Sequence, residues 1–128
     1  MENPLSSKTP LLFGVGAVLP VHDIAATTQW FCDVLGFTLD FVMEGHGSVV
    51  RCNVGIQFTA APAGFNARDY PGWTYIFTEN IDALFEEYCS QGVKVTCELA
   101  SQGHGMREFE IEDCNGFKFR FGQYLEAA

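Results

Sequence analysis

Residues Met106 to Gln123, MREFEIEDCNGFKFRFGQ, decide the fold. Glu108, Glu110 and Glu112 alternate with Phe109, Ile111 and Asp113, a period of two that sends the apolar pair to one face of a strand and the acids to the other. Asn115-Gly116 supplies a turn in which both residues tolerate positive φ. The return strand alternates again, with Phe117, Phe119 and Phe121 set against Lys118, Arg120 and Gly122. The segment predicts a β-hairpin whose phenylalanine face belongs to the core. Its charged face, with Glu108, Glu110, Lys118 and Arg120, has two readings: solvated surface, or the lining of a polar cleft.

Outward from this hairpin the chain repeats itself. Trp73 to Thr78 (WTYIFT) reads as a strand, Asn80 as the cap of a helix striped with Ile81, Leu84, Phe85 and Tyr88, and Gly92 as its stop. Val93 to Cys97 continues as a strand and Ala100 to Gly105 as a loop. In the first half, Leu12 to Val21 reads as a strand that Pro20 confines to an edge. Asp23 caps a helix striped with Ile24, Thr27, Thr28, Phe31, Val34 and Leu35, and Gly36 stops it. Phe37 to Met43, Ser48 to Asn53 and Gly55 to Ala60 follow as strands. Strand, helix and three strands therefore occur twice, with the helix stops Gly36 and Gly92 lying 56 residues apart. Residues 1–10 read as a loose lead-in, and 61–72, rich in Ala, Pro and Gly, as the connection between halves. The prediction is one α+β domain over residues 1–128, with two tandem βαβββ modules at about 11–61 and 72–124 forming a curved mixed sheet around a cleft.

With 48% hydrophobic and 18% charged residues in 128, the chain has the composition of a globular protein with a single core. A net charge of −9 repels nucleic acid phosphates and anionic membranes, so neither is expected as a partner. The same charge either attracts a cationic small molecule or serves solubility alone. Twelve phenylalanines exceed ordinary core needs and point to a lined pocket or interface. Five cysteines without a CxxC pair read as reduced thiols in a cytoplasmic protein, most of them small core residues. The longest apolar run, Leu11 to Leu19, is too short to cross a bilayer.

The double βαβββ order, the segment VHDIAATTQWFCDVLGF and the C-terminal hairpin resemble the vicinal oxygen chelate superfamily, which holds glyoxalase I, extradiol dioxygenases, and fosfomycin and bleomycin resistance proteins. The resemblance runs from Leu12 to Gln123 and is nearest to the bleomycin-binding members. Gln29-Trp30-Phe31, Leu35-Gly36-Phe37, Asp40-Phe41, Trp73 and Arg107-Glu108-Phe109 carry it, whereas Cys114, Asn115 and Phe117 depart from that pattern. It places the metal ligands of the family's enzymes at Gly16, Gln57, Trp73 and Arg120, where Gln57 and Arg120 replace the usual Glu and Trp73 the usual His. Indole and guanidinium do not ligate divalent cations, so no metal, no cofactor and no catalytic residue is expected.

If Arg120 faces the cleft, strand alternation brings Glu108 and Glu110 with it, and the fifth strand adds Trp73 and Tyr75. Gln57 from the fourth strand, Phe41, and His104 on a Gly-flanked loop complete the expected ligand-binding set. Flat aromatics with a few charges suit a planar, partly cationic ligand. The resemblance implies a homodimer that sequesters such a ligand, for example a glycopeptide antibiotic, with the first strand helping to join subunits. Two other readings stay open. One is a glyoxalase-type lyase, isomerase or dioxygenase with a relocated metal site using Gln57, His104 and Glu108 or Glu110. The other is a structural or regulatory dimer without a small ligand.

Overall fold

The computed structural model describes residues 9–126; most of the lead-in expected at residues 1–10 lies outside them. The first module comprises β1 (Ala17–Val21), α1 (Ile24–Val34), β2 (Thr38–Met43), β3 (His46–Arg51) and β4 (Val54–Ala60). The second comprises β5 (Trp73–Phe77), α2 (Ile81–Ser90), β6 (Lys94–Ser101), β7 (Met106–Glu112) and β8 (Lys118–Tyr124). Each module builds one open four-stranded mixed sheet, in the orders β1-β4-β3-β2 and β5-β8-β7-β6. The edge strands β1 and β5 run parallel to their neighbours β4 and β8, and the other pairs are antiparallel. The two-module α+β architecture is the predicted one.

The helices start where the sequence places them, although only one is capped as expected. Asp23 accepts the Ala26 N–H at 2.9 Å and closes the first turn of α1. Asn80 holds the equivalent position before α2 but makes no capping bond. There, Gln123 Oε1 accepts the Ile81 N–H at 2.8 Å, so β8 satisfies a donor that the helix's own cap leaves open. Gly36 and Gly92 end the helices with φ of +75° and +73°, which other residues adopt only at a cost.

Two strand boundaries and the burial of the cysteines differ from the sequence reading. β1 begins at Ala17 rather than Leu12, because β4 offers register partners only to Ala17–Val21. Leu11, Leu12, Phe13 and Val15 stand almost fully exposed ahead of it. β6 runs on to Ser101, into the predicted loop, because β7 pairs with it as far as Arg107 across two register shifts. The cysteines are also not core residues: Cys32 is half-buried, while Cys52, Cys89, Cys97 and Cys114 lie at the surface.

A single apolar cluster joins the modules. Phe31 of α1 is wholly buried, with ring centroids 5.1 Å from Phe58 of the first sheet and 5.6 Å from Phe119 of the second. Phe109 and Phe121 stack at 5.1 Å beneath Tyr88 and Phe85 of α2, so the phenylalanine face of the hairpin is core, as its alternation predicts. Polar bonds cross between modules as well. The Tyr88 hydroxyl donates to the Leu35 carbonyl at 3.0 Å, and Arg51 forms a two-pronged ion pair with Glu87 at 2.7 and 2.9 Å.

The hairpin turn carries a titrating group. Asp113 is buried, and its Oδ1 accepts the N–H groups of Asn115, Gly116 and Phe117 at 2.8 to 2.9 Å. Its Oδ2 is the one buried side-chain nitrogen or oxygen without a partner among the described residues. Burial outweighs the three backbone bonds and pushes the carboxyl up to about 6. A carboxyl whose folded pKa exceeds its unfolded value binds its proton earlier in the native state. Stability from this group is therefore full below about pH 4 and declines as pH rises through about 6. Asp113→Asn keeps the acceptor and removes the charge. It is expected to raise stability at pH 7.5 by about 1–2 kcal/mol and to leave it unchanged at pH 4, in urea midpoints taken at both values.

Candidate functional site

The charged face of the hairpin is neither open surface nor a free set of charges. Glu108 and Glu110 project from β7 opposite Gly122 and Arg120 of β8, and both acids are buried. A fixed donor set holds each. The Tyr75 hydroxyl donates to Glu108 Oε2 at 2.6 Å, and the Thr96 hydroxyl donates to Glu110 Oε2 at 2.7 Å. The Arg120 guanidinium lies 3.0 Å from Glu110 Oε1 and 3.6 Å from Glu108 Oε1, so one cation serves two acids. Burial and the Glu108 carboxylate push the Tyr75 phenol up to about 12, which keeps it a donor throughout the neutral range.

The aromatic part of the site comes from β5. Parallel pairing sets Trp73, Tyr75 and Phe77 beside Lys118, Arg120 and Gly122, on the face opposite the core. The Arg120 guanidinium sits 4.5 Å from the centroid of the Trp73 ring, within cation–π range. Phe77 lies 5.1 Å from Tyr75 and stacks on Tyr124 at 5.6 Å, nearly parallel at 9°. Trp73 is 56% exposed, Phe77 59% and Tyr124 70%. Large apolar rings this open are what a ligand could meet; the acids lie behind them and act through Arg120, Tyr75 and their field. An open cleft of about 500 Å³ runs between β5 and the edge of the first sheet at Gly16 to Leu19.

Glu110, Arg120, Glu108, Tyr75 and Trp73 are thus brought together. His104, on its loop, stands 3.8 Å from Glu108 and is more than half exposed. Gln57 and Phe41 are not in this cluster. They belong to the first sheet, where Gln57 Oε1 is hydrogen-bonded to His46 Nε2 at 2.7 Å and the His46 ring meets Phe41 at 5.3 Å. The sequence separation is bridged by the β3–β4 ladder, which pairs His46 with Thr59 and Ser48 with Gln57.

Three contributors went unread. Tyr124 continues the alternation of Arg120 and Gly122 beyond the predicted strand end. Thr96 lies on β6, opposite no obvious partner in sequence. Gly122 is the third: a Cβ there would strike the Tyr75 hydroxyl, with Tyr75 Cζ at 2.7 Å and Met106 Cε at 3.0 Å. A glycine in the outward slot of a strand signals such a close approach.

Glu112 extends the same strand but is a structural group. Lys94 at 2.8 Å, Lys118 at 3.0 Å and Arg68 at 3.4 Å surround it, and the two lysine bonds hold its carboxyl down to about 2. Its three cations contrast with the one shared by Glu108 and Glu110, so along β7 the excess of negative charge lies at the latter pair.

The four positions where the resemblance sets metal ligands do not fit a metal here. Gly16 has no side chain, Gln57 is engaged with His46, and Trp73 and Arg120 are stacked on each other. Among the described residues no three His, Cys, Asp or Glu side chains converge as metal ligands, and no helix is long and apolar enough to cross a membrane.

A sequence model of the glyoxalase/bleomycin resistance protein/dioxygenase superfamily matches residues 15–121. No curated protein matches the chain. Among solved structures, a bleomycin-binding protein complexed with bleomycin superposes with a TM-score of 0.76 at 20% identity, over 88% of this chain and 98% of that one. A glyoxalase/bleomycin resistance protein/dioxygenase from Alicyclobacillus acidocaldarius gives 0.75 at 14% identity, over 88% and 91%. The bleomycin resistance determinant encoded on the transposon Tn5 gives 0.73 at 20% identity, over 88% and 98%. Identities of this order establish a shared fold.

Proposed function

Because the chain belongs to the glyoxalase/bleomycin resistance protein/dioxygenase superfamily, we propose that it is a metal-free binding protein for a planar, cationic small molecule of the bleomycin type. The carrying observation is the exposed aromatic row Trp73, Phe77 and Tyr124 backed by two buried acids that share one guanidinium. The rings supply stacking area that loses little entropy on binding, because Arg120 and Tyr75 already fix their neighbours. The uncompensated carboxylate sets the sign of the ligand, and the net charge of −9 steers it in. Bleomycin in a structural neighbour supports this ligand class.

In the same reading the protein acts as a homodimer. Leu11, Leu12, Phe13 and Val15 are 88 to 99% exposed, a contiguous apolar run that a second copy would cover.

Calorimetric titration of chelator-treated protein with bleomycin tests the proposal. The expected result is saturation at one ligand per chain, with affinity falling several-fold between low and high salt as the acids are screened. Sedimentation of the same samples is expected to give a dimer. Absence of binding, or a requirement for one divalent ion per chain with turnover of a thiol adduct, would overturn the reading.

A further inference from the structure

The two modules repeat one element order and one sheet order. Ile24 and Ile81 begin the helices 57 residues apart, and Phe31 and Tyr88, separated by the same interval, are each almost wholly buried. Each helix is met by the hairpin turn of the other module. Asn115 Nδ2 donates to Thr27 Oγ1 on α1 at 3.0 Å, and Arg51 at the end of β3 clasps Glu87 on α2.

The space between helix and visiting turn is treated differently in the two halves. Beside α1 the connecting segment fills it with rings. Phe65 and Tyr70 pack on Phe117 with centroids at 5.9 and 5.4 Å, and Phe65 also meets His22 beside the α1 cap. Beside α2 nothing among the described residues plays that part. A cavity of about 300 Å³ remains, walled by Phe37, Phe77, Tyr88 and Phe121, with Cys52 and Asn80 among its exposed lining residues.

We propose that this cavity is a second binding site, for an uncharged monocyclic phenol. Three observations select that chemistry. The matching space is filled by a phenyl and a phenol ring of the chain itself, so an aromatic occupant suits walls of this shape. The bordering cation is already neutralised, since Arg51 is spent on both oxygens of Glu87 and on the Leu35 carbonyl, which disfavours a charged occupant. Asn80 stands in the capping position with its carboxamide unbonded, a donor and an acceptor free for one hydroxyl. The volume matches the lower range of small-molecule sites. Phe77 borders both this cavity and the β5 cleft, but the cavity is separate from the Glu108 cluster and does not depend on its function.

The test is a titration of the full chain with p-cresol, followed by amide signals in heteronuclear NMR. Saturable shifts at Cys52, Asn80, Ala83 and Leu84 are expected, with a Kd on the order of 1 mM or below for so small a ligand. Ala83 lines the cavity from the exposed side of α2, so Ala83→Trp occludes it and is expected to weaken binding at least about tenfold with other signals retained. In wild-type protein, saturating p-cresol is also expected to slow iodoacetamide alkylation of Cys52 several-fold and leave Cys89 unaffected. No saturable shift at those four amides, shifts confined to the Trp73 face, or an unprotected Cys52 would each overturn the proposal.

Discussion

Phe31→Ala is expected to lower stability by about 3–5 kcal/mol, a fall of about 10–20 °C in Tm for a chain of this length. Phe31 is 0% exposed, and its ring touches Phe37 and Phe58 from its own module and Phe119 from the other. Truncation removes the transfer energy of the ring and opens a cavity bounded by four rings, that of Trp30 included, which cannot collapse without moving both sheets. The loss should appear as one transition, because the same side chain belongs to both modules. A denaturation curve with two resolved steps, or a loss under about 1 kcal/mol, would contradict a shared core.

The second large effect is at Gly122, which holds no charge and no ring. Gly122→Ala places a methyl group where the Tyr75 hydroxyl lies. The half-buried phenol must swing outward, breaking its 2.6 Å bond to Glu108 and disturbing the Phe77 ring beside it. A hydrogen bond to a charged group contributes about 1.5–3 kcal/mol, so bleomycin affinity is expected to fall by a factor of about 10 to 100. Near-ultraviolet circular dichroism should report the displaced tyrosine while far-ultraviolet signal is retained. Unchanged affinity would show that the Tyr75–Glu108 contact is irrelevant to binding.

What could be read from the sequence followed periodicity. Alternation in MREFEIEDCNGFKFRFGQ fixed which residues of β7 and β8 face the core, and with it the company of Glu108, Glu110 and Arg120. Alternation along WTYIFT points Trp73 and Tyr75 to the cleft, and parallel pairing with β8, which the sequence does not reveal, sets them beside Lys118 and Arg120. Alternation tells sides and not depth. The face that reads as either solvated surface or the lining of a polar cleft holds Glu108 at 5% exposure once Tyr75, Arg120 and the His104 loop lie over it. Gln57, which the resemblance sets at a ligand position on the fourth strand, and Phe41 lie in the first sheet with His46 rather than in the Glu108 cluster. The α2 cap was lost for a similar reason: Asn80 satisfies local propensity, but Gln123, 42 residues away, takes the bond.

The central claim, stacking of a cationic ligand on the β5 aromatic row, is tested most directly through Trp73. In a Trp30→Phe background Trp73 is the sole indole, and its emission can be followed while chelator-treated protein is titrated with bleomycin. The account predicts saturable quenching at one ligand per chain, weakened by salt. Emission unchanged to about 100 μM ligand, in protein shown to be folded, would contradict it.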